Sequence, residues 1–491
     1  MASGHGDGLR DARAFSLRLR LHRGAPVFCA AAPSLLLLLS LPLSTALACR
    51  EASQRPTDVI LVTLDTTRAD HLGVYGYERD ITPFLDRFAR DAVTFQRAWA
   101  AGAWTLPTHA SMLTGKYPSS HGARFNQGAS NVALSEVLEG DFFARHKASR
   151  LPEDEVTLAE LLSERGYATA AFAGGPWLAP PFGLMQGYEL QDSLATDVGG
   201  RSAEELTNRL IAWLAALPAD RPAHALINYF DPHSPYEPPP GFDDLPGVAI
   251  PIDPEQNEIF VNGGRRLSAR QRRAVVDRYD GEIRYMDHHF GRLIDALREM
   301  GRFDDALIIV LADHGELLGE HGFLGHGRWL YEGVLRIPLL VHFPGGEGAG
   351  KTEAALISQV DLLPMIASRL GFELAAPVDG VAIGARTHVF AEVYRDPFSV
   401  STYKNRYDRD LSALVRWPWK LIASDTGIRE IYELQHDPSE RRDRKHAAMG
   451  DALERALADA RAAIEPRHEA VAPSDVPPEL QENLRDLGYI E

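Results

Sequence analysis

Cysteine is nearly missing from this chain of 491 residues, which holds only Cys29 and Cys49. Two thiols build neither a disulfide framework nor a Cys-type zinc site, so packing must hold the fold and any metal must rest on oxygen and imidazole ligands. Positive charge is also short, with 51 Lys+Arg against 68 Asp+Glu and a formal net charge of −17. An acidic chain without a long Lys/Arg run lacks the counterion-release term that drives nucleic-acid binding, which sets DNA and RNA aside as partners. Beyond residue 48 no run is long and apolar enough to span a bilayer. What is present, 45% hydrophobic and 24% charged residues, is an ordinary globular composition with ample chain for a large core.

The first 48 residues read as a targeting segment. Arg10, Arg13, Arg18, Arg20 and Arg23 precede an uncharged stretch that contains Leu35 to Leu39 and ends in Ala46-Leu47-Ala48, the pattern of a secretory signal. An uncleaved membrane anchor is the alternative, and either one exports the rest of the chain. Cys49 follows at once and resembles the lipid-bearing cysteine of a bacterial lipoprotein, although Ala46 stands where Leu is usual. The expected location is therefore extracytoplasmic, periplasmic or at the cell surface, with membrane attachment through the N-terminus or a lipidated Cys49.

Asp58 to Leu64 is a short, almost wholly apolar run that breaks at Asp65, as a buried parallel strand does. Similar runs recur at Ala168 to Ala173, Ala225 to Phe230, Ala306 to Leu311 and Leu339 to Phe343. Helical patterns lie between them. Thr82-Pro83 caps and starts one, Ser202 opens another, and Ser268 opens a long one carrying Val275, Tyr279, Ile283, Met286, Phe290, Leu293 and Leu297 before Gly301 ends it. This alternation predicts an α/β domain, a mostly parallel sheet flanked by helices. After about residue 400 the pattern becomes short strands at 411–416, 420–423 and 428–434 and then a helix around 451–464, which predicts a small antiparallel-sheet subdomain. The expected organisation is a targeting segment over 1–48, a catalytic domain over 49–400, and a C-terminal subdomain and tail over 401–491.

In open α/β sheets the ligand crevice lies beyond the carboxyl ends of the strands. Three predicted strands end in ionisable groups: Leu64 runs into Asp65, Phe230 into Asp231 and His233, and Leu311-Ala312 into Asp313-His314-Gly315-Glu316. Carboxylates and imidazole suit a divalent cation, although each Asp could instead cap the turn after its strand. In the run Ala103 to Gly115, Pro107 suits a first helical turn and Gly115 an end, so Thr105 lies just ahead of a helix N-terminus. A hydroxyl there sits beside free backbone N–H groups that favour a bound anion; a plain Thr N-cap is the other reading.

The segments Asp58 to Gly76, Thr105 to Gly122, Phe230 to Pro239, Tyr279 to Leu293, Leu311 to Gly322 and Gly325 to Pro338 together resemble the sulfatase family of the alkaline phosphatase superfamily. The likeness continues through Ser358 to Pro364, Lys420 to Pro438 and Leu484 to Tyr489, so it spans nearly all of the chain after the signal. It implies a hydrolase of ester-linked oxyanions with Asp65, Asp313 and His314 as metal ligands and Thr105 as nucleophile and fourth ligand. The implied metal is Ca, Mn or Zn. His233 and His326 match positions that contact the transferred group or help the leaving group depart; an ordinary loop histidine is the other reading of His326. Arg328 is open between oxyanion binding and a surface ion pair, and His109, one turn past Thr105, between facing the site and packing.

The departures matter as much. Sulfatases proper carry Cys or Ser in a Cys/Ser-x-Pro-x-Arg motif that becomes formylglycine, whereas here the motif is Thr105-Leu106-Pro107-Thr108-His109. Threonine cannot form that aldehyde. Thr66 replaces the usual second acid after Asp65, and Gly175-Pro176-Trp177 stands where Lys-Trp-His is expected, so two sulfate-binding cations are missing. The expected function is an exported, metal-dependent hydrolase of a sulfate or phosphate ester on a small molecule or glycan. The alternatives are a phosphodiesterase or phosphoglycerol-type transferase and a non-catalytic, glycan-binding sulfatase-like protein.

Overall fold

The first strand, β1 (Val59–Leu64), is buried at every position. Its side chains alternate between two cores, Val59 and Leu61 facing one and Ile60, Val62 and Leu64 the other. A strand covered on both faces is what a continuous apolar run encodes. The computed structural model describes residues 57–126, 131–138, 144–193, 201–249, 266–403 and 406–464. The targeting segment, both cysteines and the segment 484–489 lie outside the described residues.

A nine-stranded sheet forms the centre. Besides β1 it holds β2 (Val93–Trp99), β3 (Ala168–Ala173), β4 (Leu190–Asp192), β5 (Ala223–Tyr229), β6 (Leu307–Leu311), β7 (Arg336–Ile337), β8 (Leu339–His342) and β9 (Thr352–Ser358). Strands β6, β1, β5, β3 and β4 run parallel side by side. The sheet turns antiparallel where β8 joins β6 and β2, and β9 pairs parallel with β2. The sheet is thus mostly parallel, as the alternating pattern predicts, with β2, β4, β7 and β9 added beyond the strands read from sequence.

Helix α1 (Pro83–Phe88) starts after Thr82, but Thr82 does not cap it through its side chain. Its hydroxyl instead accepts the Gly73 N–H, and the free N–H groups of Phe84 and Leu85 donate to the buried Asp287 carboxylate. The α1 start is therefore held by a helix two hundred residues away in sequence, not by its local cap. That helix, α5 (Ala269–Glu299), is capped by Ser268 and buries Val275, Tyr279, Ile283, Met286, Phe290, Leu293 and Leu297 along one stripe, as its period predicts. With α4 (Ala203–Ala216), capped by Ser202, it covers one face of the sheet; α2 (Thr105–Thr114) and α3 (Leu158–Ser163) cover the other. Among the described residues no helix is long and apolar enough to cross a membrane.

A separate four-stranded antiparallel sheet follows: β10 (Val389–Val393), β11 (Leu411–Arg416), β12 (Trp419–Ser424) and β13 (Arg429–Glu433). Helix α6 (Gly450–Ala463) packs on it through Leu453 and Leu457, which meet Phe390, Leu414, Leu421 and Ile431. This small sheet begins at Val389, ahead of residue 401, where the sequence pattern first changes.

Candidate active site

The chain turns sharply as it leaves β1. Thr66 has a φ of 54°, a left-handed conformation that costs a β-branched residue free energy and persists only when its surroundings enforce it. They do: its N–H donates to Asp313 Oδ1 (3.1 Å) and its hydroxyl to Pro232 O (2.8 Å). One strained residue thereby ties together the carboxyl ends of β1, β5 and β6.

Those ends carry the metal-ligand candidates, all fully buried. Asp65 Oδ2 accepts from Asn228 Nδ2 (3.2 Å), and Asp313 Oδ1 accepts from the backbone N–H groups of His314 and Thr66. His314 Nδ1 donates to Gly315 O (2.9 Å), which leaves Nε2 as a bare acceptor in the neutral ring. The remaining atoms, Asp65 Oδ1, Asp313 Oδ2 and His314 Nε2, are buried without any hydrogen-bond partner. Ligand atoms from the three residues lie within 4.8 Å of one another. Burial, then the charge of Asp313, pushes the Asp65 carboxyl well above its ordinary value; burial lifts Asp313 to about 6 and lowers His314 to about 3. Three converging acceptors with no donor repel one another unless a cation lies between them, and the oxygen–oxygen–nitrogen set fits a divalent one.

Thr105 is the first residue of α2, with Trp104 in the cap position, so the helix starts one residue earlier than the sequence reading placed it, which had Thr105 just ahead of the N-terminus. Its carbonyl accepts from His109 Nδ1 (2.9 Å), and that nitrogen lies 3.7 Å from Asp313 Oδ2. The first turn of α2 therefore lies beside the carboxylate cluster. His109 Nε2 meets Thr63 Oγ1 at 3.3 Å, so both ring nitrogens are engaged and His109 braces α2 against β1 and Asp313. Trp104 stacks on Phe125 (centroids 4.0 Å) and meets Trp177 edge-on (5.1 Å), so the segment Gly175-Pro176-Trp177 supplies an aromatic wall.

His233 stacks on Phe230 (4.3 Å) and donates from Nδ1 to Ser234 O (2.6 Å). His326 lies with its ring centre 5.1 Å from that of His233 and 4.4 Å from that of His314. The next residue, Gly327, donates its N–H to Ala103 O (2.8 Å), which fastens this loop beside the start of α2. Burial lowers both His233 and His326 to about 3, so both rings are neutral near pH 7. Arg328 turns toward the C-terminal side, where Nε donates to Ser399 Oγ (2.8 Å) and the guanidinium lies over Tyr407 (5.2 Å). It is not drawn into the cluster as the other candidates are.

Three supporting residues have no role in the sequence reading. Glu316 is fully buried, accepts from His326 Nδ1 (2.9 Å) and is lifted by burial to about 7. Asn228 orients Asp65, and Gln359 donates to Asp313 O and Ala312 O while accepting from Ala101 N–H. Only Glu316 left a signal, as the fourth residue of the run Asp313 to Glu316.

Comparison with known proteins identifies the family. The Sulfatase family model matches residues 57–372, and a model for the C-terminal part of N-sulphoglucosamine sulphohydrolase matches residues 319–463. An arylsulfatase of Clostridium perfringens is 22% identical over 446 residues, covering 78% of this chain and 89% of that protein. The phosphonate monoester hydrolase of Agrobacterium radiobacter superposes with a TM-score of 0.66 at 21% identity, over 83% of this chain and 96% of that one. A protein solved with its substrate D-glucosamine-2-N,6-O-disulfate gives 0.63 at 19% identity, over 85% of this chain and 100% of that one. These superpositions establish the shared fold. With a family model spanning well over half its length, the chain belongs to the sulfatase family of ester hydrolases.

Proposed function

We propose that the chain is an exported, metal-dependent hydrolase of a sulfate or phosphate ester that uses Thr105 as its nucleophile. The observation that carries this reading is the trio of unpartnered buried atoms, Asp65 Oδ1, Asp313 Oδ2 and His314 Nε2, beside the first turn of α2. Asp65, Asp313, His314 and the Thr105 hydroxyl would hold a Ca, Mn or Zn ion, which when bound neutralises the transferred group and lowers the pKa of the hydroxyl.

The residues of the chain do the rest. The Thr105 hydroxyl loses its proton, its oxygen bonds to sulfur or phosphorus, and the ester oxygen departs and takes up a proton. Water then attacks the same sulfur or phosphorus, frees the oxyanion and restores Thr105. His233 and His326, neutral through burial, hold and return the proton, and Glu316 fixes the His326 ring. Trp104, Phe125 and Trp177 form an apolar wall suited to the ring of a small-molecule or glycan substrate.

A second reading, a phosphodiesterase or phosphoglycerol-type transferase, is favoured by Thr105 itself. A formylglycine hydrate eliminates sulfate through its carbonyl, but a modified threonine is cleared only by direct attack, which is available at phosphorus with metal help. A silent glycan-binding role would leave the buried Asp65, Asp313 and His314 cluster as a pure cost to stability. Arg10 to Ala48 supports export, and Cys49 supports lipid attachment in an extracytoplasmic location.

The deciding assay uses protein lacking residues 1–48 with Mn²⁺, Ca²⁺ or Zn²⁺ and nitrophenyl sulfate, phosphate monoester and phosphate diester. Turnover of the sulfate or monoester that disappears in Thr105→Ala supports the first reading, and turnover of the diester supports the second. Metal binding without turnover of any of them rejects both.

A further inference from the structure

A cavity of about 680 Å³ lies away from Thr105, His233 and His326, and its charge sets it apart in an acidic chain. Arg68, Arg79, Arg272, Arg273, Arg336 and Arg441 line it, and no lysine does. Its walls come from the loop after β1, the start of α5, the loop after Leu317, β7 and the C-terminal residues 438–441.

Acidic residues line it too, but they are already matched. Arg68 pairs with Asp70 (2.7 Å) and Glu320 (3.1 Å), and Arg272 also holds Glu320 (2.7 Å). Arg79 pairs with Asp277 and Asp280 of α5. Glu332 and Glu440 share one cation from inside the protein, the fully buried Lys420 (2.9 and 2.8 Å), which does not line the cavity. Arg273, Arg336 and Arg441 are left without an acidic partner among the described residues. Arg336 donates to Gln96 O, while Arg273 and Arg441 are exposed. Three arginines from distant parts of the chain thus line one space with no acidic partner among the described residues.

We propose that this cavity is a second, non-catalytic binding site for a small polyanion, a sugar carrying two or more sulfate or phosphate groups. The volume falls in the range of small-molecule sites, and planar guanidinium forks match the oxygens of either anion. The site also backs onto the catalytic loops. Arg68 Nη1 donates to Glu316 O (3.0 Å), and the Arg68 N–H donates to Tyr279 OH (2.9 Å), which donates to Thr66 O (2.8 Å). A ligand pulling on Arg68 therefore acts on the residue that joins the ends of β1, β5 and β6.

Calorimetric titration of the Thr105→Ala protein, which spares the probes from turnover, tests the proposal with D-glucosamine-2-N,6-O-disulfate and with fructose 1,6-bisphosphate. At least one compound should bind, with affinity that falls as salt rises. The added pair Arg273→Glu and Arg441→Glu should weaken binding at least tenfold, and Arg336→Gln should weaken it severalfold. The compound preferred identifies the sulfated or the phosphorylated class, and either result supports the site. Placed in the Thr105 protein, the charge-reversal pair should leave basal ester turnover unchanged, which separates this site from the catalytic one. Binding of both compounds unaltered by the charge reversal, or no binding of either, overturns the proposal.

Discussion

At the level of single residues, the site rests on atoms that have nothing to bond. Asp65 and Asp313 were legible because each ends a run of apolar strand residues, and a charged residue at that point is conspicuous in the sequence. Asn228 and Gln359 were not, since an amide inside or after a strand breaks no pattern and its role appears only when distant backbones meet. Glu316 is the most testable of the supporting residues. Its carboxylate holds His326 by one hydrogen bond, so Glu316→Gln should lower kcat by roughly tenfold to a hundredfold with little change in KM. An unaltered kcat would show that His326 needs no such partner. Glu320 gives a pH signature. Burial alone would raise its pKa, but Arg68 and then Arg272 hold it at about 2, below its ordinary value of 4.5. A carboxyl depressed in the folded state adds stability above its unfolded pKa and loses it as pH falls through the folded one. Urea unfolding should therefore show wild type more stable than Glu320→Gln by about 2 kcal/mol at pH 7, the gap closing between pH 4.5 and pH 2.

At the level of elements, strands buried on both faces announced themselves and the others did not. Strand β2 carries Gln96 and Arg97 in the half-buried part of its length, and β9 opens with three exposed residues, so neither shows an unbroken apolar run. The start of α1 was misread for a related reason: Thr82 has the right chemistry for a cap, yet its hydroxyl is already committed to Gly73. The loop after β6 shows how closely the elements are fitted. A Cβ on Gly315 would come within 2.2 Å of Gly333 O and 3.2 Å of Arg68 Cγ, and the Gly315 N–H donates to Val334 O. Gly315→Ala must push the loop bearing Asp313 and His314 off its neighbours, costing about 1–3 kcal/mol of stability. Metal titration of the variant should show clearly weakened affinity; affinity equal to wild type would mean that the loop tolerates the shift.

For the molecule as a whole, the large sheet and the small one are joined by buried charge. Lys420 of β12 lies between Glu332 and Glu440, and Trp99 of β2 donates its indole N–H to Glu332. Burial pushes Glu440 up to about 7 even with Lys420 beside it. Lys420→Ala leaves both carboxylates buried without a cation and should cost about 3–5 kcal/mol in urea unfolding at pH 7; a loss under about 1 kcal/mol would show that they find protons or water instead. The order of these residues along the chain has a consequence for synthesis. Lys420 trails Glu332 by 88 positions and Glu440 trails it by 108, so the Glu332 side chain waits for its counterion until nearly the whole polypeptide has been made. A ribosome-bound chain shorter than 420 residues therefore cannot complete this part of the interior.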